Sequence, residues 1–168
     1  MQTLRLFYAL WPDEAQRAAL AAAAHRLFPL AGIAVPAADL HVTLAFVGAV
    51  DAARTARFLE LNQALPAVAL RFDAVEHWPK SRVLVATARV VPEGLLRSVD
   101  ELWQRLDRLG VARESRPFRP HVTLARDVRR WRGTANWLPV TWTAREIRLV
   151  KSDPAASPRY EPLPRSAS

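Results

Sequence analysis

The chain has 168 residues, 51% of them hydrophobic and 24% charged, a balance that excludes both a disordered segment and a protein built of apolar membrane spans. It has no cysteine, which removes disulfides, thiolate nucleophiles and cysteine-held zinc from the chemistry available. The formal charge is +8, carried almost wholly by arginine because Lys80 and Lys151 are the only lysines. Planar guanidinium forks suit phosphates, so RNA or nucleotides are the expected partners, while an Arg-rich solvated surface is the alternative.

The opening stretch MQTLRLFYALWPDE has a short apolar run broken by Arg5 and then by Pro12-Asp13-Glu14, not the long apolar core of a signal peptide or a membrane span. A cytoplasmic protein with no membrane association is expected. Residues 4 to 10 predict a strand, and PDEAQRAALAAAAHRLF, residues 12 to 28, predicts a helix from its alanines and from Leu20, Leu27 and Phe28. Pro29 and Pro36 break the chain before LHVTLAFVGAV, a β-rich run expected to end near Gly48. A helix over 51 to 64 stopped by Pro66 follows.

The stretch from Val68 to Val91 predicts two strands joined around Trp78-Pro79-Lys80-Ser81, and residues 92 to 109 predict a helix closed by Gly110. WTAREIRLVKS and RYEPL predict two more strands. No Gly-rich phosphate loop, Ser/Gly linker or repeat of solenoid period divides the chain.

One feature organises the sequence. The pentapeptide HVTLA at 41 to 45 returns at 121 to 125 and takes two of the four histidines. On a strand, side chains alternate between faces, so His41 and Thr43 point one way and Val42 and Leu44 the other, and likewise His121, Thr123, Val122 and Leu124. Alternation also puts Ala45 and Ala125 on the histidine face, leaving room for a ligand. Two imidazoles across a cleft supply a general acid and a general base near neutral pH, and a threonine two positions away offers a hydroxyl to a phosphate oxygen. Such a site needs no metal and no cofactor, and the spacing lacks the neighbouring His or carboxylate of zinc sites.

The same alternation turns Arg126 to the opposite face from His121, so a phosphate contact from it requires a bulge or a strand end. His25 and His77 have no repeated context and are read as structural. Trp11, Phe46, Trp78 and Phe118 are aromatics able to stack bases, with core packing the default; Phe46 is kept as a candidate base contact.

RLFYAL, LHVTLAFVG, WPKSRVLV, RPFRPHVTLAR and RYEPL together resemble the two-histidine phosphoesterases, and more closely their bacterial RNA 2′,3′-cyclic phosphodiesterase, or 2′-5′ RNA ligase, branch. The resemblance spans nearly the whole chain. It implies a single bilobal α+β domain over residues 1 to 168, with two antiparallel sheets and outer helices related by a pseudo-twofold axis about a central cleft, one motif per lobe. It also implies hydrolysis of RNA 2′,3′-cyclic phosphate ends to 2′-phosphates, with 2′-5′ joining in some members. Carried over by motif position, His41 is the acid, His121 the base, Thr43, Thr123 and Arg126 bind phosphate, and Phe46 packs near the base. A monomer is expected. The rival readings are a phosphodiesterase for small cyclic nucleotides or 2′-5′ oligonucleotides, and a non-catalytic RNA-binding module.

Overall fold

The computed structural model describes residues 2–27, 32–133 and 136–164; Phe28 and Pro29 lie outside them. In chain order the elements are β1 (Thr3–Leu10), α1 (Glu14–His25), β2 (Ile33–Ala34), β3 (Val42–Asp51), α2 (Thr55–Leu59), β4 (Gln63–Phe72), β5 (Ala74–Trp78), β6 (Val83–Thr87), α3 (Glu93–Asp107), β7 (His121–Arg126), β8 (Val140–Ser152) and β9 (Tyr160–Pro162). The fold is α+β.

The helices start and stop where the sequence supplies caps. Asp13 caps α1 by accepting the Gln16 amide while the Gln16 side chain accepts the Asp13 amide, a reciprocal box that satisfies two orphan donors. In α3, Leu95, Val99, Leu102 and Leu106 recur at helical spacing and are buried, each contributing roughly 1.5 to 3 kcal/mol of apolar burial. Gly110 at φ 84° ends that helix, with the Val111 amide donating back to the Leu106 carbonyl.

The strands pair in the order β4-β8-β1-β3-β7-β6-β5, with β9 on β8 and β2 on β7. All recorded pairings are antiparallel. Between β3 and β7 the ladder is reduced to one pair, Val42 with Val122, so the sheet consists of two halves joined at a narrow seam. Only Asp73 separates β4 from β5, although they terminate opposite ends of the strand order, so the sheet curls until its edges lie side by side. The Asp73 amide donates to the Thr87 carbonyl across that junction.

Alternation along β1 sorts its two faces. Leu6, Tyr8 and Leu10 enter the main core with Leu20 of α1, Phe58 of α2 and the α3 stripe, and Phe7 and Ala9 join a second small cluster with Val150, Trp11 and Tyr160. That second cluster floors the cleft described below.

Several expectations are corrected. The segment 51 to 64 holds a 3-10 turn and the five-residue α2, and β4 begins at Gln63 and runs through Pro66 instead of following it. Pro66 is tolerated because β4 is an edge strand whose pairing with β8 is interrupted between Ala64 and Val68. β3 continues past Gly48 to Asp51; Gly48, at φ 89°, accommodates a shift in the β1 register instead of ending the strand. The first of the two strands expected between Val68 and Val91 is itself divided at Asp73 between opposite edges of the sheet. Ala45 and Ala125 are fully buried in the core and do not line the histidine face.

Candidate active site

The buried alanines and the placement of Arg126 have one cause. In the β1–β3 pairing, Tyr8 faces Ala45 and Ala9 faces Thr43, so Leu44 is an extra residue on β3. In the β6–β7 pairing, Leu84 faces Ala125 and Val85 faces Thr123, so Leu124 is an extra residue on β7. Each copy of HVTLA therefore carries a bulge at its leucine, and the residues after it change faces. Leu44 and Ala45 are both buried, as are Leu124 and Ala125, and Phe46 and Arg126 emerge on the face of the histidines.

His41, Thr43, His121, Thr123, Arg126 and Phe46 all line one cavity of about 370 Å³. A larger space of about 720 Å³ opens from it past Trp78, Phe118 and Arg119, sharing Thr43, Phe46, His121, Thr123 and Arg126. The cleft thus has a short arm and a long arm meeting at the two motifs.

The two imidazoles are anchored alike. The Nδ1 of His41 lies 2.7 Å from the Asp39 carbonyl oxygen, and that of His121 lies 2.8 Å from the Arg119 carbonyl oxygen, each two residues upstream. A carbonyl only accepts, so both rings carry a proton on Nδ1 and neutral rings present a bare Nε2. The His41 Nε2 accepts from the Thr43 hydroxyl at 3.1 Å, while the His121 Nε2 has no hydrogen-bond partner among the described residues.

Aromatic walls fix His41. Trp11 stacks on it at 5.5 Å and 15°, Tyr160 meets it edge-on at 4.7 Å, and Phe7 lies 5.0 Å away. Burial among these rings, aided by the charges of Arg126 and His121, lowers its pKa to about 4 despite the opposing effect of the Asp39 carbonyl. Arg126 is itself aimed by a 2.9 Å hydrogen bond to the Tyr160 hydroxyl. Trp11 is therefore spent on the imidazole and is not a free stacking platform.

Around His121 a carboxylate does the organising. Glu76 accepts from Trp78 Nε1, from the Thr87 hydroxyl and from the Arg119 guanidinium through both its oxygens. These donors hold its pKa below the ordinary range, the Trp78 bond most of all. Trp78 packs 4.6 Å from the His121 ring, the Arg119 guanidinium lies 5.5 Å from the centre of the Trp78 ring, and Thr87 is the strand partner of His121. Burial also lowers the pKa of His121, and the nearby Arg119 and Arg116 charges add to it while Glu76 pulls the other way.

Sequence reading missed Glu76, Arg119, Phe7 and Tyr160. Tyr160 lay in the recognised RYEPL tail without a role, and the position of Arg119 two before a histidine was the one signal for its carbonyl. Phe46 is 55% exposed above the cleft and Phe118 is half-buried in the long arm. His77 donates to or accepts no cleft group; its Nε2 lies 2.8 Å from the Val128 carbonyl, and His25 closes the last turn of α1. Among the described residues no carboxylate lines the short arm, and no three His, Asp or Glu side chains gather to hold a metal.

Residues 10–156 match the model of the 2′-5′ RNA ligase superfamily. The chain is 36% identical over 126 residues to the RNA 2′,3′-cyclic phosphodiesterase of Escherichia coli K12, covering 73% of this chain and 72% of that one. It is 33% identical over 136 residues to the protein of that name from Thermus thermophilus, covering 73% and 68%. In structure it resembles E. coli LigT complexed with 3′-AMP, with TM-score 0.79, 32% identity and 97% of each chain covered.

Proposed function

The chain belongs to the 2′-5′ RNA ligase superfamily, and from that membership we propose that it hydrolyses RNA 2′,3′-cyclic phosphate ends to 2′-phosphates with His41 as acid and His121 as base. The observation that carries the reading is the matched pair of imidazoles, each held by its Nδ1 proton and each turning Nε2 to one cavity.

Water attacks the cyclic phosphorus in line with the O3′ bond. His121 Nε2 removes the water proton, the P–O3′ bond breaks, and His41 Nε2–H delivers a proton to O3′, leaving a 2′-phosphomonoester and a 3′-hydroxyl. Thr43, Thr123 and Arg126 hold the non-bridging oxygens as charge builds on them. Glu76, which favours the protonated state of His121, supports its role as the base, whereas the burial that keeps His41 neutral in the empty cleft requires His41 to take up its proton as the substrate binds. An arriving phosphate anion offsets the Arg126 charge and restores part of the proton affinity that His41 lost in the empty cleft. The step needs no metal, and an arm lined by arginines, hydroxyls and imidazoles without a carboxylate repels a divalent cation.

With the 5′-hydroxyl of a second RNA as nucleophile in place of water, the same groups perform 2′-5′ joining: His121 takes the hydroxyl proton, a P–O5′ bond forms as the P–O3′ bond breaks, and His41 protonates O3′. One chain supplies both histidines, so a monomer suffices, and a cytoplasmic enzyme is the reading that accompanies an RNA substrate. The test is an RNA oligonucleotide ending in a 2′,3′-cyclic phosphate, incubated with chelator and resolved by end-group analysis. Conversion to the 2′-phosphate by the wild type and its loss in His41→Ala and His121→Ala is expected. Binding of the RNA without turnover by the wild type would favour a non-catalytic RNA-binding module.

A further inference from the structure

The short arm holds more positive charge than a cyclic phosphate uses. Arg5, Arg126 and Arg159 all line it and, among the described residues, no carboxylate does. A cyclic phosphodiester carries one negative charge, which Arg126 and the two threonine hydroxyls already meet. The guanidinium groups of Arg5 and Arg159 have no hydrogen-bond or ion-pair partner among the described residues, whereas Lys151 close by in the fold is paired with Glu161 at 2.8 Å. Two arginines without a partner among the described residues therefore line one cavity with Arg126.

Their placement gives the second charge a position. β1 pairs with β8 without a break in register from Arg5 to Ala9, so Arg5 shares a face with Phe7. Phe7 lies against His41, and Arg5 stands two residues farther along the strand, about 7 Å away. Arg159 directly precedes β9, which pairs with the edge of β8 away from β1, and stands beside Tyr160, which holds Arg126. Between them in the sheet stands Ser152, strand partner of Arg5 on one side and of Tyr160 on the other, and its small side chain lines the same cavity.

A ribose closed at O2′ and O3′ has one remaining position for a phosphate, O5′. We infer that the short arm is a second phosphate subsite in which Arg5 and Arg159 take the phosphate on O5′ of the nucleotide that carries the cyclic end. The inference rests on the function proposed above and adds a selection rule to it. A cyclic nucleoside phosphate with a free 5′-hydroxyl leaves both guanidinium groups empty. A 5′-phosphorylated one, or an RNA end whose terminal nucleotide is joined through its 5′-phosphodiester, fills them with charge-assisted bonds.

The experiment compares kcat/KM for three substrates: adenosine 2′,3′-cyclic phosphate, its 5′-phosphorylated form, and the dinucleotide ApA ending in a 2′,3′-cyclic phosphate. The 5′-phosphate raises kcat/KM about tenfold or more in the wild type, chiefly through KM, and the ratio falls toward one in Arg5→Gln/Arg159→Gln. The larger gain, monoester or diester, identifies free nucleotides or RNA as its source. The single variants each lose part of the ratio, which keeps the test in force if the double variant folds poorly. A ratio near one in the wild type, or one that survives in the variants, overturns the subsite. A turnover-free arm measures calorimetric affinity for adenosine 2′,5′-bisphosphate against adenosine 2′-monophosphate, with the same preference and the same loss expected. If no substrate is turned over but the bisphosphate preference is present and arginine-dependent, the proposed reaction fails and the subsite stands.

Discussion

Val42 and Val122 are antiparallel strand partners, and each is the second residue of its own copy of HVTLA. A pair of equivalent residues opposed in antiparallel sense defines a local twofold axis through the pair. Both valines are fully buried, so the residues flanking each, His41 and Thr43 on one strand and His121 and Thr123 on the other, turn to the opposite face. The repeat therefore delivers an imidazole and a hydroxyl to the cleft from each side of one seam. The bulges at Leu44 and Leu124 follow the same symmetry, and what they deliver differs: an aromatic ring at Phe46 and a cation at Arg126.

Acid and base that act on one phosphorus fail together. His41→Gln and His121→Gln are each expected to lower kcat by about 10² to 10⁴, the range for loss of one positioned proton-transfer group. Because each step needs both groups, the double variant falls little further than the worse single one. Single-turnover hydrolysis of a cyclic-ended oligonucleotide measures this, and strictly multiplicative losses would count against a shared step.

The repeat, the two His-Thr pairs and most strands were legible because each is carried by local pattern: alternating apolar residues, caps at Asp13 and Gly110, and a motif seen twice. The faces of Phe46 and Arg126 were not, because a bulge is visible only in the pairing of two strands. The sequence required one for Arg126 without being able to place it. The helix expected over 51 to 64 failed for a related reason, since Pro66 stops helices but is also at home in an edge strand with a broken ladder. Glu76 was silent because its partners, Thr87 and Arg119, are 11 and 43 residues away and meet it only in the fold.

Glu76 holds three of the groups around His121, and its charge favours the protonated imidazole. Glu76→Gln keeps the shape but removes the charge and unfastens Arg119. The His121 pKa moves down, and kcat falls roughly tenfold, the scale of one charge-assisted hydrogen bond, with KM little changed. Imidazole signals followed by NMR titration give the pKa without turnover, and the acid limb of kcat/KM moves to lower pH with it. An unmoved His121 titration in a folded variant would remove Glu76 from the account.

Arg126 owes its aim to Tyr160. Arg126→Lys keeps the charge and loses the fork, and kcat/KM is expected to drop about tenfold to a hundredfold. Tyr160→Phe leaves the guanidinium present but less well directed and costs several-fold. If the tyrosine acts through the arginine, the double variant matches Arg126→Lys alone, a coupling that a double-mutant cycle on kcat/KM reads directly.

The enclosure of His41 also sets how the fold responds to acid. An unfolded chain protonates this histidine near its ordinary value of 6.5, whereas the folded chain resists until about 4. Between those values the unfolded state binds more protons, so stability rises with pH and is lost as pH falls from 6.5 toward 4. The slope is about 1.4 kcal/mol per pH unit and the total about 3 kcal/mol, with His121, shifted in the same direction, adding to it. Above pH 6.5 neither state holds the proton and the effect vanishes. Urea unfolding at pH 7 and pH 5 is expected to show a smaller loss of stability for His41→Gln than for the wild type, because the variant has no proton to take up on unfolding. The carboxylates titrate in both proteins and cancel in that difference, so equal losses would mean that His41 is not held neutral by its aromatic cage.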